Sequence, residues 1–242
     1  MMSKNLANYN FSGKSVLVLG GSKGIGFGVV RQFVQCGASV FYISRTPNEN
    51  NIGTHIKLDL SDQDQVSLMT GKIEGLAIDI LVNCSAINFA KGHDDINIRE
   101  WDDVYQVNVS SIFMVCNAVL KHMKSKSYGK IVNVSSIAGR HRSIVSGIHY
   151  VSSKAALLGY TRQLSYEVGR YGINVNAVCP SQTRTEMYAA TMTPEKEEEL
   201  LKGIPLARVA TIEEQVAPII FLCSDSASYI AGAVLDVNGG QI

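Results

Sequence analysis

The chain has 242 residues, of which 46% are hydrophobic, and its formal net charge at pH 7 is +1. That hydrophobic fraction is enough for a folded core and too high for a disordered chain. The near-neutral charge argues against a nucleic-acid binder and against a protein held on an acidic membrane surface. No apolar run is long enough to span a membrane, and the N-terminus lacks the apolar core of a signal peptide. The composition therefore predicts a cytoplasmic globular protein.

The five cysteines form an odd count and contain no CxxC pair. This usage is typical of reduced thiols in the cytoplasm. Neither the cysteines nor the five histidines have the spacing of metal ligands, so we expect no metal site.

The first elements of the chain form a strand–helix–strand unit. A short apolar run at 14–20 ends at glycine, as strands buried on both faces of a parallel sheet do. Apolar residues then recur at helical spacing over 21–37, and a second apolar strand follows at 38–44. A βαβ unit of this kind strongly favours a parallel sheet.

The same alternation continues to the C-terminus. Further strands are predicted at 55–60, 78–86, 129–136, 173–180 and 233–240, with helices at 64–73, 98–125, 149–172, 193–203 and 212–224. Apart from the charged helix at 193–203, the segment 183–205 has no clear pattern. Because no linker or repeat divides the chain, we predict one α/β domain over 1–242, a doubly wound, seven-stranded parallel sheet with helices on both faces.

A glycine-rich turn, GGSKGIG at 20–26, lies where the first strand enters the first helix. Glycines let the backbone turn tightly and approach a pyrophosphate, whose charge meets the helix N-terminus. The alternative is an ordinary turn between a strand and a helix. The βαβ context favours a dinucleotide site.

The end of the second strand predicts which dinucleotide binds. Ser44, Arg45 and Thr46 lie there, with no carboxylate nearby. A carboxylate would bind the 2′-hydroxyl of NAD and repel the 2′-phosphate of NADP, whereas Arg45 can bind that phosphate through two hydrogen bonds. Lys23 in the glycine turn adds a second positive charge. The alternative is that Arg45 and Lys23 are solvated surface cations. We predict that NADP(H) is preferred over NAD(H).

Ser136, Tyr150 and Lys154 are the candidate catalytic residues. Ser136 ends the fifth predicted strand, and Tyr150 opens the next helix with Lys154 one turn later on the same face. A neighbouring ammonium can lower the pKa of a phenol from about 10 toward neutrality, which would make Tyr150 a usable proton donor. These residues and the glycine turn share the carboxyl edge of the sheet, where such proteins bind ligands.

In these motifs the chain resembles the classical short-chain dehydrogenase/reductase family, from about residue 12 to the C-terminus. The resemblance rests on GGSKGIG, Asp59, Asn108, Ser136, Tyr150-x-x-x-Lys154, NAVCP at 176–180, Thr185 and GAVLDVNGG at 232–240. It implies a Rossmann-like fold and a reductase in which Tyr150 protonates a carbonyl oxygen as hydride reaches the carbon. Lys154 would lower the Tyr150 pKa and hold the nicotinamide ribose, and Ser136 would bind the carbonyl oxygen. Asn108 would hold a water that links Lys154 to solvent.

The resemblance also implies a set of cofactor-binding residues. They are Gly20, Ser22, Lys23, Gly24, Ile25, Gly26, Ser44, Arg45, Asp59, Leu60, Asn83, Cys84, Ser85, Tyr150, Lys154, Pro180, Thr183 and Thr185. Asp59 would accept a hydrogen bond from the adenine amino group, although its residue type also suits a cap on the helix that starts near Ser61. NCSA at 83–86 replaces the usual Asn-Asn-Ala-Gly, a change beside the adenine ribose.

The loop between Ser136 and Tyr150 is unusually basic. The candidate substrate residues are Ser136, Arg140, His141 and Tyr150. In the loop itself, Arg140, His141 and Arg142 could bind a carboxylate or phosphate. The alternative is that they face solvent or a neighbouring subunit, because charged loop residues are usually exposed.

The resemblance extends to the 3-oxoacyl-acyl-carrier-protein reductase branch, which docks an acidic carrier on basic residues. A candidate patch consists of Lys121, Lys124, Lys126 and Lys130, although Ser127 and Tyr171 stand where arginines are expected. The substrate would be a small-molecule or acyl-carrier carbonyl, and the assembly a homotetramer or homodimer. The alternatives are a sugar, alcohol or secondary-metabolite dehydrogenase and a non-catalytic nucleotide-binding protein, which would be expected to lack Tyr150 or Lys154.

Overall fold

The structure is a computed structural model and describes residues 9–242, except the side chains at 187, 190 and 191. Residues 1–8, on which the signal-peptide prediction partly rests, lie outside the described residues. The strands are β1 (Ser15–Leu19), β2 (Ser39–Ser44), β3 (Thr54–Lys57), β4 (Ile80–Asn83), β5 (Gly129–Val134), β6 (Ile173–Pro180) and β7 (Val234–Val237). The helices are α1 (Gly24–Gln35), α2 (Gln63–Glu74), α3 (Ile98–Tyr105), α4 (Ser111–Lys126), α5 (Ile148–Val168), α6 (Glu186–Thr191), α7 (Pro194–Lys202) and α8 (Ile212–Cys223).

All seven strands are parallel and lie in the order β3-β2-β1-β4-β5-β6-β7. This confirms the predicted α/β class and the seven-stranded parallel sheet. The strand order reverses between β1 and β4, where the connections leave the sheet in opposite directions. Sheets of this kind bind ligands in the crevice at the carboxyl edge beside such a reversal.

Two hydrophobic clusters cover the two faces of the sheet, which explains why β1 is a continuous apolar run. Val16 and Val18 pack into the cluster that holds residues of α1 and α8. Leu17 and Leu19 pack into the cluster that holds residues of α2, α4 and α5. All four side chains are fully buried, and each contributes about 2 kcal/mol relative to an exposed position. The sheet is therefore the middle layer between two layers of helices.

The prediction of one continuous helix over 98–125 is wrong in one respect. A π-helical turn over Gln106–Ser110 separates α3 from α4. Apolar residues continue at helical spacing through the turn, with Val107 and Ile112 buried on either side of Asn108, so the pattern does not reveal it. Such turns are rare and occur frequently at functional sites.

The segment 183–205 contains two short helices. The charged helix predicted at 193–203 is confirmed as α7, and the Thr193 side chain accepts a hydrogen bond from the Lys196 N–H to cap it. No element was predicted where α6 lies. Among the described helices, none is long and apolar enough to cross a membrane.

Candidate active site

The glycine turn after β1 leaves no space for a side chain at Gly20 or Gly26. Gly20 has φ of +79°, and a Cβ there would lie 2.9 Å from the backbone N of Ser85. A Cβ on Gly26 would lie 2.1 Å from the Gly20 carbonyl oxygen. The turn thus presents bare backbone at the N-terminus of α1, which is the form that a pyrophosphate requires. Ser22 and Ile25 complete this turn and are half-buried.

The first residues after β4 line the same turn. A Cβ on Gly26 would also meet the Cys84 Cβ at 3.3 Å, so Cys84 lies against the glycines. Burial raises the pKa of the Cys84 thiol to about 12, and the nearby Lys154 only partly offsets this. The Ser85 hydroxyl is buried, and among the described residues it has no hydrogen-bond partner. A bound ligand would supply that partner, so the cradle and this hydroxyl fit a dinucleotide.

Asn83 is an exception among the predicted cofactor residues. Its side chain is fully buried, and its Nδ2 donates to the Asn133 Oδ1 at 2.7 Å. The side chain therefore joins β4 to β5 inside the sheet through Nδ2, while its buried Oδ1 has no hydrogen-bond partner among the described residues.

The residues predicted to select NADP lie at the end of β2. The Ser44 hydroxyl donates to the Thr46 carbonyl at 2.6 Å, and Arg45 is exposed. Asn48 orders this loop because its side chain both donates to and accepts from the backbone of Ile52, at 2.8 and 2.9 Å. Arg45 therefore projects from an ordered loop.

Lys23 and Thr185 meet across the glycine turn. The Lys23 ammonium lies 3.1 Å from a carboxylate oxygen of Glu186. A Cβ on Gly24 would lie 3.3 Å from the Thr185 Cγ2, and the Thr185 hydroxyl accepts from the Tyr188 N–H to begin α6. The start of α6 thus lies against the predicted nucleotide site.

The remaining predicted cofactor residues also follow strand ends. Asp59 Oδ1 accepts from the N–H and the hydroxyl of Ser61, at 3.0 and 2.8 Å. The alternative that Asp59 caps the next helix is wrong, because Asp62 accepts from the Gln65 N–H and caps α2. Leu60 is buried in the core. Pro180 ends β6, and the buried Thr183 donates through its hydroxyl to the Ser181 carbonyl.

Lys154 is a buried ammonium, only 2% exposed. Its Nζ donates to the Val134 carbonyl at 2.8 Å and lies 5.7 Å from the centroid of the Tyr150 ring. Burial lowers the pKa of Lys154 to about 8, although the thiols of Cys84 and Cys179 oppose the shift. The Ser135 hydroxyl donates to the Lys154 carbonyl and ties β5 to α5. The predicted proximity of Lys154 and Tyr150 is confirmed.

The predicted fall in the Tyr150 pKa is wrong for the protein groups by themselves. Burial raises the pKa of the Tyr150 phenol, and its hydrogen bond with Ser136 only partly offsets the rise. The reason is that desolvation penalises the phenolate, while the Lys154 ammonium is directed at the Val134 carbonyl. Tyr150 is therefore a protonated phenol beside Ser136, as a proton donor must be.

Asn108 is fully buried in the π turn. Its Oδ1 accepts from the Ile87 N–H at 2.9 Å, and its Nδ2 donates to the Ile87 carbonyl and the Ser153 hydroxyl at 3.1 and 3.0 Å. Ser153 in turn donates to the Tyr150 carbonyl. Asn108 thus connects the loop after β4 to the helix that carries Tyr150 and Lys154.

The three basic residues of the loop after Ser136 are exposed, and one of them, Arg140, is paired with a carboxylate. Arg140 Nη2 lies 3.3 Å from a carboxylate oxygen of Asp236 on β7. His141 and Arg142 are exposed, and the His141 Nδ1 accepts from the Arg142 N–H. The candidate substrate residue Arg140 is therefore already paired with a carboxylate.

The proposed carrier-binding patch is wrong at Lys130. That side chain is only 3% exposed, and its Nζ donates to the Asn174 Oδ1 at 2.8 Å. Lys121 pairs with Glu74, and the Lys124 ammonium lies 5.2 Å from the centroid of the Tyr171 ring. The end of α4 that carries these lysines leads into the start of β5, so the patch lies at the opposite sheet edge from Tyr150.

Sequence reasoning missed Ser153, Ser135 and the role of His149. Serine within a helix or at a strand end gives no distinctive pattern, so Ser153 and Ser135 have no signal of their own. His149 precedes Tyr150 directly, and that adjacency was its only signal. Among the described residues, no group of three or more His, Cys, Asp or Glu is placed to hold a metal ion.

Comparison with known proteins agrees with this geometry. A family model described as enoyl-(acyl carrier protein) reductase matches residues 20–241. The chain is 36% identical over 242 residues to the 3-oxoacyl-(acyl-carrier-protein) reductase FabG of Chlamydia muridarum, with 94% of this chain and 97% of the relative covered. The chain belongs to the short-chain dehydrogenase/reductase family of oxidoreductases.

Two solved structures are similar over nearly their whole length. One is a gluconate 5-dehydrogenase of Burkholderia cenocepacia in complex with NADP and tartrate, with a TM-score of 0.88, 27% identity and 98% of both chains covered. The other is a 3-oxoacyl-(acyl-carrier protein) reductase of Brucella melitensis with bound NAD. Its TM-score is 0.87 at 28% identity, covering 99% of this chain and 95% of that chain. These relatives bind nicotinamide cofactors of both kinds.

Proposed function

We propose that this protein is an NADPH-dependent reductase that converts a ketone or 3-oxoacyl carbonyl to an alcohol. The observation that carries the proposal is the group formed by Ser136, Tyr150 and Lys154. It lies at the same sheet edge as the glycine turn, with Tyr150 protonated and Lys154 buried beside it. A proton donor and a dinucleotide site at one edge suit hydride transfer coupled to protonation.

Each side chain has a definite part in that reaction. The nicotinamide cofactor, when bound, supplies hydride to the carbonyl carbon. The hydroxyls of Ser136 and Tyr150 hydrogen-bond the carbonyl oxygen, and the Tyr150 O–H gives its proton to that oxygen as the C=O double bond becomes a single bond. The Lys154 ammonium stabilises the phenolate that remains. Asn108 holds the loop after β4 in place and, through a bound water, would connect Lys154 to solvent for reprotonation.

The proton donor can be tested by Tyr150→Phe, which removes only the hydroxyl. We expect turnover to fall by a factor of about 10³ or more because the reaction loses its proton source. NADPH binding, followed by fluorescence titration, should change little, since the aromatic ring still fills its place. Retained turnover would show that Tyr150 is not the proton donor.

The position of Arg45 at the end of β2 favours NADP over NAD. It is exposed on a loop ordered by Asn48, and no carboxylate accompanies it at the end of β2. We expect Arg45→Asp to raise the KM for NADPH by about tenfold or more and to lower the KM for NADH, because the new carboxylate can bind the ribose 2′-hydroxyl. Lys23→Gln should have a smaller effect, because Glu186 already engages that ammonium. A wild-type enzyme that uses NADH as well as NADPH would contradict the proposal.

Two substrate classes are supported by different observations. Similarity to FabG favours a 3-oxoacyl thioester on a carrier. The gluconate dehydrogenase neighbour, the burial of Lys130 and the absence of arginine at Ser127 and Tyr171 favour a sugar acid or another small ketone. Assaying 3-oxoacyl thioesters beside keto acids of sugars and simple ketones separates the two classes by kcat/KM.

We further propose that the enzyme works in the cytoplasm as a homodimer or homotetramer. Large apolar side chains are exposed on adjacent helices, with Phe113 of α4 at 52% and Tyr166 of α5 at 86%. A second copy of the chain would cover them. Light scattering of the purified protein distinguishes a monomer of 26.2 kDa from its multiples.

A further inference from the structure

His149 makes a hydrogen bond to the backbone of the proposed proton donor. It is fully buried, and its Nδ1 accepts from the Tyr150 N–H at 2.9 Å. Tyr150 is the third residue of α5, so its N–H has no carbonyl within the helix to bind. Gly147, at the helix cap, has no side chain to accept from it, and no side-chain cap is present. The imidazole therefore serves as a helix cap at the residue that carries the reacting hydroxyl.

The surroundings hold the imidazole in one orientation. A Cβ on Gly147 would lie 2.5 Å from the His149 Cε1 and 2.5 Å from the Phe89 carbonyl oxygen. The Phe89 and His149 rings are 5.8 Å apart, and the Gly147 N–H donates to the Asn88 Oδ1 at 3.3 Å. The ring is thus packed between the helix start and the loop after β4. A displacement of that loop would be transmitted to Tyr150 through the His149 ring.

The hydrogen bond also determines which ring nitrogen of His149 acts on Tyr150. Because Nδ1 accepts a hydrogen bond from the Tyr150 N–H, the neutral ring carries its own proton on Nε2. The Nε2 atom is buried, and within the described part of the chain it has no partner. Nδ1 is therefore the atom through which His149 acts on Tyr150.

We propose that His149 is a positioning residue for Tyr150. Its Nδ1 holds the Tyr150 backbone so that the phenol reaches Ser136 and the substrate carbonyl. This inference rests on the proposed function of Tyr150 as proton donor. A displacement of about 1 Å at a reacting group can lower a rate by about a hundredfold, so one backbone hydrogen bond here has a measurable effect.

Two variants separate the two ring nitrogens. His149→Asn places an amide oxygen where Nδ1 lies and keeps the acceptor, whereas His149→Gln places its amide near Nε2 and removes the acceptor at Nδ1. We expect His149→Asn to keep kcat within about threefold of wild type, and His149→Gln and His149→Ala to lower kcat by about tenfold or more. The Kd for NADPH, measured by fluorescence titration, should stay within about threefold in all three, since the nucleotide turn is untouched.

Several outcomes would overturn the inference. One is a kcat of His149→Gln or His149→Ala equal to that of wild type. Another is His149→Asn losing as much activity as His149→Ala. If all three variants lose NADPH binding and stability together, the ring serves only the packing of the helix end.

The Tyr150→Phe variant, assayed in parallel, separates this inference from the function on which it rests. If Tyr150→Phe is inactive while the His149 variants behave as wild type, only the positioning role fails. If Tyr150→Phe retains turnover, the proposed function itself fails.

Discussion

Lys154 shows how the protein keeps a charged side chain inside its core. Its ammonium is removed from water but donates to the Val134 carbonyl, and burial lowers its pKa to about 8. At neutral pH most molecules still carry the charge. A cation at this position stabilises the proposed phenolate of Tyr150. The buried ammonium therefore lowers the stability of the fold at a place where the reaction requires a positive charge.

The cost of that burial can be measured by Lys154→Met. The folded pKa of about 8 lies below the ordinary value of 10.5, so between these values the unfolded chain binds more protons than the folded one. The Lys154 contribution to the free energy of unfolding therefore rises with pH across that window, and its penalty is complete below pH 8. We expect Lys154→Met to be more stable than wild type at pH 7, by at most about 3 kcal/mol, and the advantage to shrink between pH 8 and 10.

Urea unfolding at a series of pH values provides this measurement. Lys126→Met, at an exposed lysine of α4, is the control and should change stability by less than about 0.5 kcal/mol. A stability difference for Lys154→Met that does not vary with pH would contradict the assigned cause.

At the scale of the element, the turn between β1 and α1 is determined by close backbone contacts. A Cβ on Gly20 would meet the Ser85 backbone and a Cβ on Gly26 would meet the Gly20 carbonyl oxygen, so neither position tolerates a side chain. The π turn between α3 and α4 is a second local irregularity, and the contacts of Asn108 with Ile87 and Ser153 accompany it. These two irregularities bring the loop after β4 against both the glycine turn and α5.

Gly26→Ala tests the turn directly. The new Cβ would lie 2.1 Å from the Gly20 carbonyl oxygen, so the backbone must move. We expect the free energy of unfolding to fall by about 2 kcal/mol and NADPH affinity to fall by about tenfold or more. The measurements are urea unfolding and fluorescence titration.

Gly71→Ala is the matched control for that substitution. Gly71 lies inside α2, and a Cβ there meets nothing within 4 Å. This change should stabilise the protein by about 0.5–1 kcal/mol and leave the NADPH affinity unchanged. Equal effects of the two substitutions would show that the turn is not constrained as described.

At the scale of the whole molecule, one sheet is shared by two hydrophobic clusters. Val16 and Val18 belong to one cluster and Leu17 and Leu19 to the other, so loss of β1 would open both. This continuity supports our proposal that the chain is a single domain. The sheet and both clusters lie within residues 9–242.

A single domain should unfold in one cooperative transition. Trp101 is the only tryptophan, and its ring stacks on Tyr105 in α3 at 5.1 Å between centroids. Its fluorescence therefore reports on one helix, while circular dichroism reports on all of them. We expect the two signals to give the same urea midpoint, and separate midpoints would indicate two units.

Much of this protein is determined by the order of residues along the chain. Apolar runs such as 14–20 and 173–180 predict strands because both faces of the sheet are covered. The strands that end at Leu19 and Val134 place the next residues of the chain at the carboxyl edge. Tyr150 and Lys154 could be found because their spacing is one helical turn. These signals are local, and local signals are present in sequence.

Only the tertiary structure decided how the candidate side chains are used. The burial that raises the Tyr150 pKa, the pairing of Arg140 with Asp236 and the burial of Lys130 depend on residues far apart in the chain. The hydrogen bond from Tyr150 to His149 joins neighbours, yet its rigidity comes from packing against Phe89. Desolvation, ion pairing and packing are set by the surroundings in three dimensions, and spacing along the chain does not contain them.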